Sequence, residues 1–89
     1  MEENPVKPVT VDEAVDWLLW YLEAEDIAAI AAQDEDELLD QHFDTCLLIR
    51  NAFSLWGNPA LLAAAGADHP DEASLVILRA LWRRLNPLH

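Results

Sequence analysis

The sequence predicts an all-α fold, a compact bundle of four to five helices around a long central helix. Hydrophobic residues make up 53% of the chain and glycine occurs only twice, and runs of β-branched residues that would favour strands are almost absent. The apolar residues instead recur at spacings of three and four, the period of a helix with one buried face. Four tryptophans among many leucines and alanines exclude an acidic disordered chain. A length of 89 residues suits one domain with a modest core.

Residues 1–9 are predicted to form an extended lead-in, and residues 10–89 a single helical domain. The lead-in contains two prolines and has no helical period. Thr10 is suited to cap the first helix, and Glu13, three residues later, completes a capping box. The first helix is therefore predicted over about Val11–Glu23.

Two apolar residues of this first helix fall on its polar side. At about 100° per residue, Leu19 and Trp20 project towards the acidic face rather than the core. An exposed tryptophan inside a charged rim is typical of a binding hot spot. Alternatively, the lead-in or a second copy of the chain covers Leu19 and Trp20. The predicted core stripe of the helix contains Val11, Val15, Leu18 and Leu22, with Ala14 and Tyr21 beside them.

A short second helix is predicted over residues 25–32, and a third and longest helix over Asp34–Trp56. Asp34 is suited to cap the third helix, with Glu37 at the capping-box position. Its apolar stripe is the longest in the chain, so we expect it to be the central helix of the bundle. The stripe contains Leu38, His42, Cys46 or Thr45, Ile49, Phe53 and Trp56, widened by Leu39, Phe43 and Leu47.

Two further helices are predicted after Gly57. Asn58-Pro59 supplies a cap and a first-turn proline for a short helix that ends at Gly66. The last helix is predicted over about Pro70–Leu85, with acids in its first turn and arginines in its last, as the helix dipole favours. Asn86-Pro87 is expected to end it.

Several short motifs resemble a family of small, uncharacterised bacterial all-helical proteins. The family pattern is similar to HFxxGxxIRNxxxLW followed by PDxxSxxI, and the opening of residues 10–15 is also similar. This chain departs from the pattern at Asp44 and Cys46, where small residues or glycine are usual. The resemblance implies the helical fold and no mechanism. The matching residues are His42, Phe43, Ile49, Arg50, Asn51, Leu55, Trp56, Asn58, Pro70, Asp71, Ser74 and Ile77.

Charge is divided unequally between the two halves of the chain. Residues 1–45 carry fourteen of the seventeen carboxylates and Lys7 as their only lysine or arginine, a formal charge of −13. Residues 46–89 carry three carboxylates and four arginines, a formal charge of +1. Such asymmetry bears on partners rather than on fold. It favours a cationic protein surface as the partner and argues against direct binding to nucleic acid, which needs a basic footprint.

The acids of the first half fall into three clusters. Carboxylates at i and i+4 repel by a few tenths of a kcal/mol per pair, and no lysine relieves Asp12/Asp16, Asp36/Asp40 or Asp40/Asp44. A surface selected only for solubility usually mixes both signs, although a solvated acidic face remains the alternative. The predicted partner-binding residues are Asp12, Asp16, Leu19, Trp20, Glu23, Glu25, Asp26, Asp36, Glu37, Asp40 and Asp44.

His42 and Cys46, at i and i+4, form the only constellation that suggests chemistry. A nucleophilic pair needs a third, orienting group and an electropositive setting, whereas Asp40 and Asp44 are acidic neighbours. We therefore interpret the pair as a buried cysteine and a hydrogen-bonded core histidine. Two ligands are too few for structural zinc, so no metal, cofactor or catalytic residue is predicted. Arg50 is interpreted as structural, pairing with Asp71 or the adjacent acid at the start of the last helix.

The leading hypothesis is a non-enzymatic inhibitor that docks on the basic surface of a nucleic-acid-handling complex. Carboxylates about 5–6 Å apart on a helix are suited to occupy a nucleic-acid groove, as in phage-encoded or anti-CRISPR-like proteins. The alternative is a structural or regulatory homodimer that uses the Trp20 patch. A cytoplasmic location is expected, because Cys46 is the only cysteine and the opening residues lack a signal peptide. No apolar run approaches a membrane span.

Overall fold

The all-α prediction is confirmed by the computed structural model, which describes residues 8–53 and 58–87. These residues form six α-helices and one 3-10 turn, with no β-strand among them. The predicted lead-in lies outside the described residues up to position 7, and Pro8 and Val9 are not helical. The helices are α1 (Val11–Tyr21), α2 (Ala24–Ala32), α3 (Leu38–Gln41), α4 (Phe43–Ala52), α5 (Pro59–Ala64) and α6 (Pro70–Leu85), and the 3-10 turn is Glu35–Glu37.

Helix α6 is the centre of the bundle. It contacts each of the other five α-helices and has the bounds that its terminal residues predicted, with Pro70 in the first turn and Asn86 as C-cap. The prediction that the helix from Asp34 is central is therefore wrong. The inner face of α6 is more completely buried than that of any other described helix, and its buried residues are Pro70, Ala73, Ser74, Ile77, Leu78, Leu81 and Trp82.

The predicted long third helix is divided into three pieces. The side chain of Asp34 makes no capping bond, and the backbone at His42 leaves the helical region with φ −130° and ψ 37°. A continuous helix would align Asp36, Asp40 and Asp44 at i, i+4 spacing, where like charges destabilise it. The 3-10 turn and the break at His42 remove that alignment. The predicted end at residues 56–57 lies outside the described residues.

The break also changes which side chains of this segment are buried. Leu38 is fully buried, as predicted, but Leu39 and Phe43 are exposed, with 55% of Phe43 accessible to solvent. Both were predicted to widen the core stripe, and that prediction is wrong. Phe43 is the first residue of α4, so its side chain no longer continues the stripe of the helix before it.

Helix α1 begins as predicted and ends two residues early. The Thr10 hydroxyl oxygen accepts a hydrogen bond from the N–H of Glu13 at 3.1 Å. The Glu13 carboxylate in turn accepts one from the N–H of Val9 at 2.9 Å, the residue before the cap, rather than from the cap residue itself as in a standard capping box. Leu22 is extended, with ψ 149°, and ends the helix before Glu23. Ala14, Val15 and Leu18 are the buried residues of α1.

Three buried or half-buried polar side chains tie the loops to the bundle. Asn58 caps α5 by accepting the N–H of Leu61 at 3.2 Å, and its Nδ2 donates to the carbonyls of Pro8 at 3.1 Å and Phe53 at 3.4 Å. The indole N–H of Trp82 donates to the carbonyl of Gln33 at 2.7 Å. Asn86 donates to the carbonyl of Ala31, also near the end of α2, at 3.4 Å. These contacts satisfy backbone groups that the ends of α2 and α4 leave unpaired.

We predict that Asn58→Ala lowers the free energy of unfolding by about 2 kcal/mol, because it removes a helix cap and leaves two buried carbonyls without their donor. The measurement is urea unfolding followed by circular dichroism. Thr10→Ala is the matched control, since it removes one exposed cap at a cost of about 1 kcal/mol. Equal losses for the two variants would contradict the structural role given to Asn58.

Candidate functional site

Arg84 of α6 pairs with the two acids of α1. Its Nη1 lies 2.9 Å from Asp16 and its Nη2 4.0 Å from Asp12. No lysine lies near this i, i+4 pair in the sequence, as noted above, and its cation comes instead from a helix that is distant in sequence. Asp12 and Asp16, both predicted to bind a partner, thus share an arginine partner within the protein.

Two other arginines have carboxylate partners. Arg83 Nε lies 2.9 Å from Glu35, at the start of the 3-10 turn. Arg50 Nη1 donates to Asp71 at 2.6 Å, so the predicted pairing of Arg50 with the start of the last helix is confirmed. Arg79, in contrast, is exposed and has no ion pair within the described residues.

The other predicted partner-binding acids are exposed and have no ion pair within residues 8–53 and 58–87. They occupy two regions, the start of α2 and the segment from the 3-10 turn to the first turn of α4. Helix starts favour carboxylates, which accounts for part of this placement. The two groups are Glu23, Glu25 and Asp26 in the first region and Asp36, Glu37, Asp40 and Asp44 in the second.

An aromatic cluster extends from the core to the surface near the start of α2. Trp17 contacts the buried Phe53 edge-to-face at 5.1 Å between ring centroids and stacks on Tyr21 at 4.8 Å. Trp20 meets Trp17 at 6.0 Å. Trp20 is 67% exposed, as predicted, and Tyr21 is 51% exposed although it was placed beside the core stripe. Leu19 was predicted to share the exposed patch, but it packs against the core.

A depression of about 390 Å³ lies where α1, α2 and α4 meet. Its lining contains Tyr21 and Leu22 from the end of α1, Glu23 and Asp26 from the start of α2, and Leu48 from α4. It therefore combines an aromatic ring, two aliphatic side chains and two carboxylates without an ion pair in the described part of the chain. Of the predicted binding residues, the structure brings Glu23 and Asp26 together here.

A second, apolar groove of about 340 Å³ lies between the α3–α4 segment and α6. Cys46 lines it but is only 5% exposed, and no disulfide involves it. Burial raises the pKa of the Cys46 thiol, Asp71 raises it further, and a hydrogen bond with Ser74 lowers it. The remaining side chains of the groove are Leu39, Phe43, Leu47, Asp71, Glu72, Ser74 and Leu75.

The predicted surroundings of Cys46 need two corrections. The carboxylate that raises its pKa belongs to Asp71 of α6, rather than to Asp40 or Asp44 beside it in sequence. His42, predicted as a hydrogen-bonded core histidine, has a buried Nε2 without a hydrogen-bond partner. Burial is the main cause of the raised pKa of Cys46, and the carboxylate that adds to it comes from α6 rather than from the local sequence.

The described residues contain no group of three or more side chains arranged to hold a metal ion. Within the same part of the chain, no helix is both long enough and apolar enough to cross a membrane.

Residues 7–85 match a family described as a domain of unknown function, DUF6794. The chain belongs to this family. The match extends over α1 to α6 of the DUF6794 domain, and membership in a family without an assigned function agrees with the resemblance drawn from the sequence. Neither a curated protein nor a solved structure matches the chain.

Sequence reasoning missed three contributors to the surface of this DUF6794 domain. Tyr21 and Leu48 line the depression, and Phe43 is exposed beside the apolar groove. Tyr21 and Phe43 lie on or beside apolar stripes when each helix is read alone, and Leu48 belonged to no predicted stripe. Tyr21 lies where α1 ends and Phe43 follows the break at His42, and neither place carries a proline or glycine that would have predicted it.

We predict that Cys46 reacts slowly with iodoacetamide in the folded protein, because a buried thiol with a raised pKa is protonated at neutral pH and sterically protected. In denaturant the rate should rise to that of an ordinary thiol. Mass spectrometry over a time course gives both rates. Labelling of the native protein as fast as that of the denatured chain would contradict the buried state.

Proposed function

We propose that this DUF6794 domain is a non-enzymatic binding protein whose acidic surface docks on a basic surface of a partner protein. The observation that carries the proposal is the division of its carboxylates. The arginines of α4 and α6 reach Asp12, Asp16, Glu35 and Asp71, and the seven acids at the start of α2 and around α3 are left without ion pairs in the described chain. Uncompensated charge of one sign attracts a cationic surface over a long range.

The break between α3 and α4 supports a role for the second acidic region. Asp36, Asp40 and Asp44 lie on three separate short elements, so their repulsion is spread over a broad surface. A broad surface of fixed negative charge accelerates encounter with a basic partner, and salt screens this attraction within about 8 Å at physiological ionic strength.

The finer form of the proposal is that the basic surface is a nucleic-acid-binding groove and that this protein inhibits it, as an anti-CRISPR-like protein would. The small size of the domain and its net charge of −12 support this form. Competition separates it from the general proposal, since duplex DNA should displace this protein from the captured partner. The proposal places the protein in the cytoplasm, where a single cysteine stays reduced.

We predict that Asp36→Lys with Asp40→Lys slows association with the partner about tenfold at low salt, because exposed charges act mainly on the association rate. The fold should keep its stability, since neither acid has an ion pair in the described chain. The partner is first captured from lysate of the source cells. Surface plasmon resonance over a salt series then gives the association rate, and thermal melting followed by circular dichroism gives the stability of each variant.

Asp12→Lys with Asp16→Lys is the matched control, because it changes the net charge by the same amount. This pair loses both contacts with Arg84 and should cost about 1 kcal/mol of stability, with a smaller effect on association. If the Asp36/Asp40 variant captures the same proteins as the wild type with the same salt dependence, the acidic surface is only solvated and the proposal is wrong.

A second candidate function is a structural or regulatory homodimer. The specific observation in its favour is Trp20, a large aromatic side chain that is 67% exposed on α1. Exposed aromatic residues of this size are typical of interface centres.

For the homodimer, light scattering at micromolar concentration should give twice the chain mass of 10.0 kDa. Trp20→Ala should restore the monomer, because it removes the aromatic centre of the interface. A wild-type protein that is monomeric throughout the accessible concentration range would remove this candidate.

A further inference from the structure

We propose that the depression between α1, α2 and α4 binds an arginine side chain of the basic partner. This inference rests on the proposed function and deepens it, because it names the chemical group that one point of the acidic surface recognises. The site consists of Tyr21, Leu22, Glu23, Asp26 and Leu48.

The aromatic wall of the depression is held in place before any partner arrives. Tyr21 stacks on Trp17 with an interplanar angle of 18°, and Trp17 is fixed against Phe53, which belongs to the core. Half of Tyr21 nevertheless stays accessible. A ring that is anchored on one side and accessible on another offers contact area at little cost in conformational entropy.

The lining of the depression also carries negative charge. Glu23 and Asp26 are exposed, and neither has an ion pair within the described residues. Asp44 lies one turn before Leu48 on α4, and residues four apart share a helix face. Two carboxylates thus line a recess whose remaining lining is aromatic and aliphatic, and Asp44 adds negative charge one helical turn from Leu48.

Arginine fits this combination better than lysine does. Its planar guanidinium stacks on aromatic rings and binds carboxylates with two parallel hydrogen bonds, whereas the lysine ammonium is a compact and strongly hydrated charge. The aliphatic stem of the arginine would pack on Leu22 and Leu48, as long basic side chains do on apolar surface. The volume of about 390 Å³ is in the range of pockets that take a side chain or a small ligand.

A second copy of the chain is a less suitable occupant. It offers Arg79, the only arginine without an ion pair in residues 8–53 and 58–87. Each chain, however, has a net charge of −12, so that two copies repel each other as Arg79 approaches. A basic partner brings the same guanidinium with an attractive field.

The test compares two short synthetic peptides of equal length and charge, one alternating arginine with glycine and the other lysine with glycine. Isothermal titration calorimetry at low salt gives both dissociation constants. We expect the arginine peptide to bind about two- to fivefold more tightly, as cation–π contact at an exposed site permits. Tyr21→Leu should abolish the preference, while Trp20→Leu, an exposed aromatic that does not line the depression, should retain it.

The carboxylates are tested independently of the aromatic ring. Glu23→Gln should weaken the arginine peptide more than Glu25→Gln does, although each removes one exposed acid of the same region. This pair keeps the inference testable if Tyr21→Leu fails to fold, and circular dichroism monitors folding of every variant.

The inference is overturned if both peptides bind the wild type equally, or if Tyr21→Leu keeps the arginine preference. Equal binding that weakens with salt would leave the proposed function intact and remove only this site. Absence of binding by either peptide would count against both. Doubling of the mass in light scattering, reversed by Tyr21→Leu, would assign the depression to a second copy instead.

Discussion

Burial of one face of α6 holds the other helices together. Each of α1 to α5 contacts this helix, and the side chains of Ile77, Leu78 and Leu81 are fully buried between them. The remaining helices are short, and helices of this length are marginal in water without tertiary packing. Their positions therefore depend on α6. Hydrogen bonds from Trp82 and Asn86 also attach the end of α2, and the loop that follows it, to this helix.

The same central helix decides how negative charge is distributed. The negative C-terminal end of the helix dipole favours Arg83 and Arg84 in the last turn of α6. The same two arginines also contact Glu35 and Asp16. The arginines thus pair with Asp12, Asp16, Glu35 and Asp71, and the other carboxylates at the start of α2 and around α3 have no ion pair in the described part of the chain. Seven exposed acids are therefore left to act on charges outside the described part of the chain.

The candidate binding features occur where helices end early. The extended backbone at Leu22 places Tyr21 beside the start of α2, and the break at His42 exposes Phe43 next to the apolar groove. In both places an apolar side chain that a longer helix would have directed along its buried stripe lies next to carboxylates. Aromatic and aliphatic surface within a charged rim is the arrangement that protein interfaces use for their central contacts.

Local chemistry in the sequence determined the helical class, the caps at Thr10 and Asn58, and the bounds of α6, because periodicity, caps and dipole preferences act over a few residues. The contact between Arg50 and Asp71 was also predictable, since Pro70 marked the start of a helix expected to pack on the one that carries Arg50. Only the tertiary structure decided which helix is central, where the acidic third segment breaks and which carboxylates have arginine partners. Those outcomes depend on residues such as Asp16 and Arg84, which are 68 positions apart, and no local pattern encodes their distance in space.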